Sequence, residues 1–195
     1  MEMFRDHRLS VLGLTETWHD TDSPVFSRCR ASGYSVIDRP RPRTRDDLSV
    51  NHGGVALVAA PGTLLSPLCT GSPSATLETV ACYATTGRSR AAVVVVYPPG
   101  SQLVTPQFFI DLSSLLGKLV VLSVPLYVTG DFNVRLDRDT RHAEHLRLIY
   151  EPFGLQICCS VPTHRDGGIL DLVAALENVS VTVCDVERSD HSLLL

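Results

Sequence analysis

Short apolar runs recur along the chain, and turn-forming or charged residues separate them. The runs at residues 10–15, 53–58 and 124–129 are typical of buried β-strands. Two further runs, at residues 76–83 and 91–97, lie on either side of a Gly-Arg-Ser-Arg turn and predict a β-hairpin. Shorter strands are predicted at residues 34–38, 155–159, 169–174, 179–186 and 191–195.

Helical segments are predicted between these strands. Ser23 followed by Pro24 is a helix-start signal, and Gly33 ends the helix that follows. Residues 106–122 form another predicted helix, with Thr105 as its N-cap. Strands predominate and helices are inserted at intervals, which indicates an α+β fold with helices packed outside the sheets. The remaining predicted helices are at residues 2–8 and 140–152.

The composition is that of a globular protein, with 44% hydrophobic and 19% charged residues among 195. This length suffices for one domain with a sizeable core, so we expect a single domain over residues 1–195. The formal net charge of −4 disfavours a module that holds nucleic acid through phosphate contacts alone, because such modules are basic. It is compatible with a metal-dependent nuclease, whose clustered carboxylates coordinate the cation.

The six cysteines include no C-x-x-C pair, which disfavours a structural zinc site. Several of them lie in apolar runs and suit reduced, buried thiols, so an intracellular location, nuclear or cytoplasmic, is expected. The N-terminus has no apolar signal-peptide region, and the longest apolar runs are too short to span a bilayer. No membrane partner is therefore predicted.

A Gly-Asp-Phe-Asn sequence at residues 130–133 follows directly after the predicted strand at residues 124–129. Asp131 and Asn133 are two positions apart, so their side chains point the same way in an extended segment. Such a pair can hold a water and a phosphate oxygen side by side. Taken alone, however, the pair is better explained as an Asx-type turn that ends a strand.

Other polar groups also lie at the ends of predicted strands. Asp171 is surrounded by apolar residues, where a carboxylate needs a partner, and His191 is a suitable one. An Asp–His pair fixes the imidazole tautomer and favours its charged form. Glu16 and Asp190 are hard oxygen ligands that suit Mg²⁺ or Mn²⁺.

Together these groups are suited to hydrolysis of a phosphodiester. Asp131 can activate a water as general base and Asn133 can orient it, while a metal ion and a charged His191 neutralise the developing negative charge. Each residue alone has a simpler explanation, such as a surface acid or a turn. Only the ordered set favours the catalytic interpretation.

An arginine-rich stretch at residues 39–45 alternates with proline, which favours an extended, solvated loop. Arg41 and Arg43 are candidates for contact with a phosphate backbone beside a nuclease cleft. A solvated loop without such a role is the alternative.

Five short motifs occur in order along the chain. They are Leu-Thr-Glu-Thr-Trp at residues 14–18, Val-Tyr-Pro-Pro at 96–99, Gly-Asp-Phe-Asn at 130–133, Pro-Thr-His at 162–164 leading to Leu-Asp-Leu at 170–172, and Ser-Asp-His at 189–191. Taken in this order, they resemble the endonuclease/exonuclease/phosphatase superfamily. The Thr-Glu-Thr-Trp and Tyr-Pro-Pro sequences of the first two motifs are most similar to the endonuclease domain of non-LTR (LINE-type) retrotransposons.

This resemblance implies a four-layered α/β sandwich, in which two mixed β-sheets are flanked by helices. It also implies Mg²⁺-dependent nicking of DNA, with Mn²⁺ as a possible substitute, and a reverse transcriptase domain in the full-length element. Glu16 and Asp190 would bind the metal, and Thr163 would lie near the DNA phosphate. The catalytic set would be Asp131, Asn133, His191, Asp171 and Tyr97.

The sequence departs from the family pattern in two places. Family members begin with a strand that carries an asparagine, whereas the first asparagine here is Asn51, after Glu16. We therefore expect the first strand of the fold to be missing, as in a domain truncated at its N-terminus. Pro98 also replaces the usual arginine after the tyrosine.

Three alternatives to an active DNA endonuclease stay open at this point. The chain is compatible with a catalytically decayed fragment, which the missing asparagine favours. It is also compatible with a phosphoesterase of the same superfamily that acts on abasic DNA or a phosphoinositide. A non-catalytic nucleic-acid-binding module is the third.

Overall fold

Two β-sheets face each other in the computed structural model, which describes residues 2–41, 53–71, 74–99, 104–186 and 189–195. Four α-helices accompany the strands: α1 (Glu2–Asp6), α2 (Pro24–Ala31), α3 (Pro106–Leu119) and α4 (Arg141–Tyr150). The strands are β1 (Val11–Leu14), β2 (Ser35–Arg39), β3 (Val55–Ala59), β4 (Thr63–Pro67), β5 (Glu78–Thr86), β6 (Ser89–Tyr97), β7 (Leu126–Asp131), β8 (Gln156–Ile157), β9 (Asp171–Ala175), β10 (Val183–Cys184) and β11 (Leu193–Leu194).

The larger sheet has the order β4-β5-β6-β7-β9-β8 and is mixed, because β6 and β7 run parallel while its other neighbours are antiparallel. The smaller sheet has the order β1-β3-β2 and is antiparallel throughout. Strands β10 and β11 form a separate antiparallel pair. The parallel β6–β7 pair requires a crossover connection, and α3 lies within it.

Strand β3 separates an outer helical layer from the inner core. Its Val58 packs with Phe4 of α1 and Phe26 of α2. Its Leu57 points to the opposite face, as the two-residue period of a strand requires, and packs with Val95 of the larger sheet. The side chains between the two sheets thus form the central core.

The outer face of the larger sheet is covered by α3 and α4. Leu112 of α3 and Leu146 of α4 are fully buried against Val94 of β6 and Val128 of β7. The order of layers is therefore helices, small sheet, large sheet, helices. This is the four-layered α+β sandwich that the sequence predicts.

Most predicted elements are present and many are shorter than predicted, whereas the hairpin strands β5 and β6 are longer. Ser23 caps α2 as predicted, since its hydroxyl accepts a hydrogen bond from the Phe26 amide. Thr105 lies at the N-cap of α3 without a side-chain capping bond. Strand β4 was not predicted, and the strand expected at residues 179–186 is reduced to the two residues of β10.

Two strand edges border one groove. Strand β1 lies at the edge of the small sheet, and β11 pairs with β10 on one side. Among the described residues neither has a ladder partner on its other edge. Both line a groove of about 790 Å³, whose floor includes Val95, Tyr127 and Val173 of the larger sheet.

All six cysteines are free thiols, so no disulfide contributes to the fold. None of the helices in the described ranges combines the length and the apolar character that crossing a bilayer demands.

Gly130 of β7 lies very close to the backbone of β6. Its φ is +139°, and a Cβ built on it would lie 2.0 Å from the Val96 carbonyl oxygen. A side chain at this position would therefore force the two central strands apart. The close approach sets the position of Asp131, which follows immediately.

We expect Gly130→Ala to lower the free energy of unfolding by about 3 kcal/mol, because strain and a backbone clash add. Gly87→Ala is the matched control, since Gly87 also has a positive φ of +59° but nothing within 4 Å of its Cβ position. The control should cost only about 1 kcal/mol. Denaturant unfolding of both variants measures the difference, and equal losses would contradict the role of the close approach.

Candidate active site

Two aspartates lie directly opposite each other where β7 ends and β9 begins. Asp131 is the last residue of β7, Asp171 is the first of β9, and the register pairs them. Side chains at directly opposed positions of neighbouring strands lie close together on one face of the sheet. The antiparallel pairing thus brings together two carboxylates that are 40 positions apart along the chain.

Asp131 is buried, with only 3% of its surface exposed. Burial raises its pKa to about 7, and the nearby charge of Asp171 adds to the effect. A smaller contribution in the same direction comes from Glu16, while the Asn133 amide and His191 act in the opposite direction. A carboxyl group with such a pKa is suited to accept a proton near neutral pH.

His191 is paired with Asp171, as the sequence predicts. Its Nδ1 donates to Asp171 Oδ2 over 2.8 Å. This hydrogen bond raises the pKa of His191 to about 9, despite the opposing effect of burial. The imidazole is therefore charged at neutral pH, and its Nε2 remains for other partners. Asp131, Asp171 and His191 each offer a ligand atom within 4.8 Å of the others.

Thr163, which is fully buried, helps to position the Asp171–His191 pair. Its hydroxyl oxygen accepts hydrogen bonds from the amides of Leu170 and Asp171, over 3.1 and 3.0 Å. The hydroxyl thus fixes the start of β9 and, with it, the Asp171 carboxylate. Contact of Thr163 with a DNA phosphate stays a prediction.

Asn133 shapes the loop that follows β7. It adopts a left-handed conformation with φ of +52°, which asparagine tolerates better than most residues. Its backbone amide donates to Asp131 Oδ1 over 2.8 Å, and its side-chain Nδ2 donates to the Pro98 carbonyl oxygen over 3.1 Å. The Asx-type turn considered for this pair is thus present, and it orients the Asp131 carboxylate.

Glu16 lies on a loop after β1 that is held in an unusual conformation. Both Glu16 and Trp18 have positive φ angles, of +49° and +46°. The amides of Thr17 and Trp18 donate to the carbonyls of Gly54 and Gly53. The hydroxyl of the buried Tyr97 donates to Glu16 Oε1. The loop thereby directs the Glu16 carboxylate toward Tyr97 and the Asp131 side of the site.

A buried polar network that the sequence did not reveal anchors this loop. His19 is 7% exposed, and its two ring nitrogens contact the Thr17 hydroxyl at 2.6 Å and Asp38 Oδ2 at 3.0 Å. Arg30 pairs with the other oxygen of Asp38. These residues come from three separate elements, so no local spacing in the sequence marks them.

Asp190 lies on the solvent side of the cluster, with 64% of its side chain exposed. Its neighbours are His191 and His164, and His164 Nε2 lies 3.5 Å from Asp190 Oδ2. Within the described ranges, these three form a second group whose ligand atoms all lie within 4.8 Å. Glu16 belongs to neither group, and its role as a metal ligand together with Asp190 stays a prediction.

The arginines predicted to contact phosphate have different outcomes. Arg41 Nε pairs with Glu78, and its guanidinium lies 6.0 Å from the centre of the Tyr97 ring. Its Nη2 is buried without a hydrogen-bond partner. Arg41 is therefore next to the Glu16–Tyr97 side of the site rather than on a fully solvated loop. Arg43 lies outside the described residues.

Comparisons with known proteins identify the fold. The sequence matches no known protein family model, and no curated protein matches it either. Solved structures do match, over nearly the whole chain. The endonuclease domain of TRAS1, a telomere-specific non-LTR retrotransposon, aligns with a TM-score of 0.71 at 14% identity, covering 98% of this chain and 86% of that chain.

Two other matches are similar in extent. An AP endonuclease from Archaeoglobus fulgidus has a TM-score of 0.68 at 17% identity, covering 99% of this chain and 90% of that one. An endonuclease/exonuclease/phosphatase family protein from Leptotrichia buccalis has a TM-score of 0.67 at 10% identity, covering 98% and 88%. The resemblance to this superfamily that the motifs indicate is thus confirmed for the fold.

We expect Asp171→Asn to lower the pKa of His191 from about 9 toward its ordinary value, because the main stabilising partner of the imidazolium is lost. In the parent chain the charged ring stabilises the fold fully below about pH 6.5, and this contribution disappears as the pH rises through about 9. Histidine NMR signals followed through a pH titration measure the shift. Asp190→Asn is the control and should lower this pKa less, since Asp190 is the weakest contributor. An unchanged midpoint in Asp171→Asn would refute the pairing.

Proposed function

We propose that this chain is a metal-dependent phosphodiesterase that nicks DNA, as part of an endonuclease domain of retrotransposon origin over residues 1–195. The observation that supports this most directly is the convergence of Asp131, Asp171 and His191 within 4.8 Å of one another. A buried base and a charged acid in one cluster are the two groups that phosphodiester hydrolysis requires. The matched TRAS1 endonuclease domain supports the retrotransposon origin.

In this proposal Asp131 accepts a proton from the attacking water. Its pKa of about 7 makes the carboxylate available near neutral pH while keeping it basic enough to take the proton. The Asn133 amide holds the Oδ1 atom of Asp131, so the water would be bound by the other carboxylate oxygen. The left-handed turn at Asn133 thus orients the base.

His191 stabilises the negative charge that develops on the phosphoryl oxygens. Its Nδ1 is held by Asp171, so its Nε2–H is directed away from Asp171 and can donate to such an oxygen. Because the Asp171 contact keeps the ring charged, the donor carries a full positive charge. Asp171 therefore acts through His191 and does not need to contact the substrate.

The donor set fits a hard divalent cation. Glu16, with Oε1 already oriented by the Tyr97 hydroxyl, and the exposed Asp190 supply carboxylate oxygens, the ligands that Mg²⁺ or Mn²⁺ prefers. A bound cation would supply neutralisation of phosphate charge and a lower pKa for a coordinated water. Glu16, near the buried Asp131, and Asp190, at the solvent-exposed end of the cluster, are the residues that would hold the ion.

DNA is the proposed substrate, and a reverse transcriptase in the full-length element is the proposed partner. The matched AP endonuclease makes abasic DNA the main rival within the same class of reaction. The nicking rates on plain duplex and on a duplex with one abasic site, together with phosphate release from a phosphoinositide, separate these substrates. A strong preference for the abasic duplex or for the lipid would replace the retrotransposon assignment.

A non-catalytic remnant is the second candidate, and the two open strand edges at the groove favour it. Unpaired backbone groups and apolar surface at such edges lower stability. A cooperative thermal melt together with Mg²⁺-dependent nicking would exclude this candidate. DNA binding that persists without Mg²⁺, combined with no nicking by a folded sample, would establish it.

We expect Mg²⁺-dependent nicking of supercoiled plasmid, and a loss of about 10²- to 10⁴-fold in Asp131→Asn, because the general base is removed. His191→Ala should lose activity to a similar extent. Asp139→Asn is the matched control, since Asp139 is an exposed aspartate beyond the same loop and should retain the parent rate. Gel assays under single-turnover conditions measure these rates.

Removal of the metal with a chelator should abolish nicking in the parent chain and in the control variant alike. Full activity of Asp131→Asn, or equal losses in Asp131→Asn and Asp139→Asn, would contradict the assigned role. Melting curves of each variant show whether a loss of activity reflects unfolding.

A further inference from the structure

A second histidine lies beside His191 and has no role in the proposal above. His164 is in the segment that leads into β9, and its backbone forms an isolated antiparallel bridge with His191. Two hydrogen bonds extend this contact, from the Ser192 amide to the Thr163 carbonyl and from the Arg165 amide to the Asp190 carbonyl. The segment around His164 is therefore fastened to the turn that carries His191.

The two imidazole rings are in direct contact. Their centres lie 4.8 Å apart in an edge-to-face arrangement, with an angle of 80° between the ring planes. The His164 side chain is 17% exposed and that of His191 is 30% exposed. Both rings are thus held by packing on one side, and both remain accessible to a substrate on the other.

The hydrogen bonds of His164 determine which ring nitrogen carries its proton. The Asp166 amide donates to His164 Nδ1 over 3.1 Å, so Nδ1 is an acceptor. The Asp166 carboxylate lies farther away, at 3.8 Å from the same nitrogen, so the amide contact determines the tautomer. The proton of the neutral ring is therefore on Nε2.

The Nε2–H group of His164 is a hydrogen-bond donor, and its neighbour Asp190 accepts from it only weakly. Asp190 Oδ2 lies 3.5 Å from it, which is longer than the ordinary range of about 2.7–3.2 Å. Asp190 is also largely exposed, so its carboxylate can move toward a cation or toward solvent. A protonated Nε2 has no lone pair for a metal ion, so the atom is suited to an anionic oxygen and not to a cation.

We propose that His164 is a second phosphate-binding residue, whose Nε2–H donates to a non-bridging oxygen of the scissile phosphate beside the oxygen that His191 contacts. The two imidazoles then hold the phosphate from one side, opposite Asp131. This assignment rests on the proposed function for the identity of the substrate. Its geometric basis, a fixed donor in contact with His191, is independent of the mechanism.

The test compares three variants in single-turnover nicking of duplex DNA with Mg²⁺. His164→Ala should lower kcat/KM by about 10²-fold, the usual effect of losing one donor to developing charge. His164→Gln should recover part of this loss, because its amide offers an N–H at the end of a side chain of similar length. His7→Ala is the matched control and should match the parent rate, since His7 is an exposed histidine at the end of α1.

A structural role for His164 predicts a different set of results. Loss of packing would shift the titration midpoint of His191 and lower the melting temperature, and His164→Gln would not recover activity. We expect instead that the NMR titration of His191 changes little in His164→Ala. Parent-like nicking by His164→Ala, or a displaced His191 titration without recovery by His164→Gln, would overturn the proposal.

Binding separates this proposal from the proposed function. In Asp131→Asn, which should bind DNA without cutting it, the Nε2–H signal of His164 should shift in NMR spectra when a duplex oligonucleotide is added with Mg²⁺. If the parent chain cuts no DNA but this shift occurs, the proposed activity fails and the phosphate contact stands. If nicking occurs and the shift does not, the phosphate contact fails alone.

Discussion

The site depends on a charge balance between two carboxylates and one imidazole. Asp131 and Asp171 are directly opposed across β7 and β9, where two negative charges repel each other. His191 hydrogen-bonds to Asp171, and its charge acts on Asp131 only as a smaller effect that opposes the effect of burial. Asp171 is therefore the charged partner of an imidazolium, while burial keeps the pKa of Asp131 near neutrality. One histidine thus gives two identical side chains different electrostatic environments, and in the proposed mechanism one is a positioning group and the other a base.

The apolar pattern predicted the fold well where burial alone determines the backbone. The strand predicted at residues 124–129 has a long apolar run and is present as β7. The predicted hairpin, which also has long apolar runs, is present as the β5–β6 pair beside it in the sheet. Strand β4 was missed because Thr63–Pro67 is short, has two adjacent leucines and ends in proline. Its extended conformation comes from pairing with β5, which is a tertiary effect that no local pattern reveals.

The site was predictable only in part, for a related reason. Asp171 and His191 could be paired from the sequence, because a carboxylate in an apolar run requires a partner. The pair formed by His19 and Asp38 carries no such signal, since neither lies in a strongly apolar run and 19 positions separate them. Arg41 was predicted to contact phosphate from an extended loop, but the sequence did not reveal its pairing with Glu78, which brings it beside Tyr97 in the folded chain.

The open groove and the candidate active site share lining residues. Asp131, Asp171 and His191 all line the groove that β1 and β11 border, so whatever fills the groove also changes the environment of Asp131. Burial is the largest cause of the raised pKa of Asp131. An apolar occupant would exclude the remaining water and raise that pKa further, leaving less of the base ionised at neutral pH. A polar amide or a cation at the same place would lower it. The group that pairs with the sheet edges in this fold therefore also determines how basic Asp131 is.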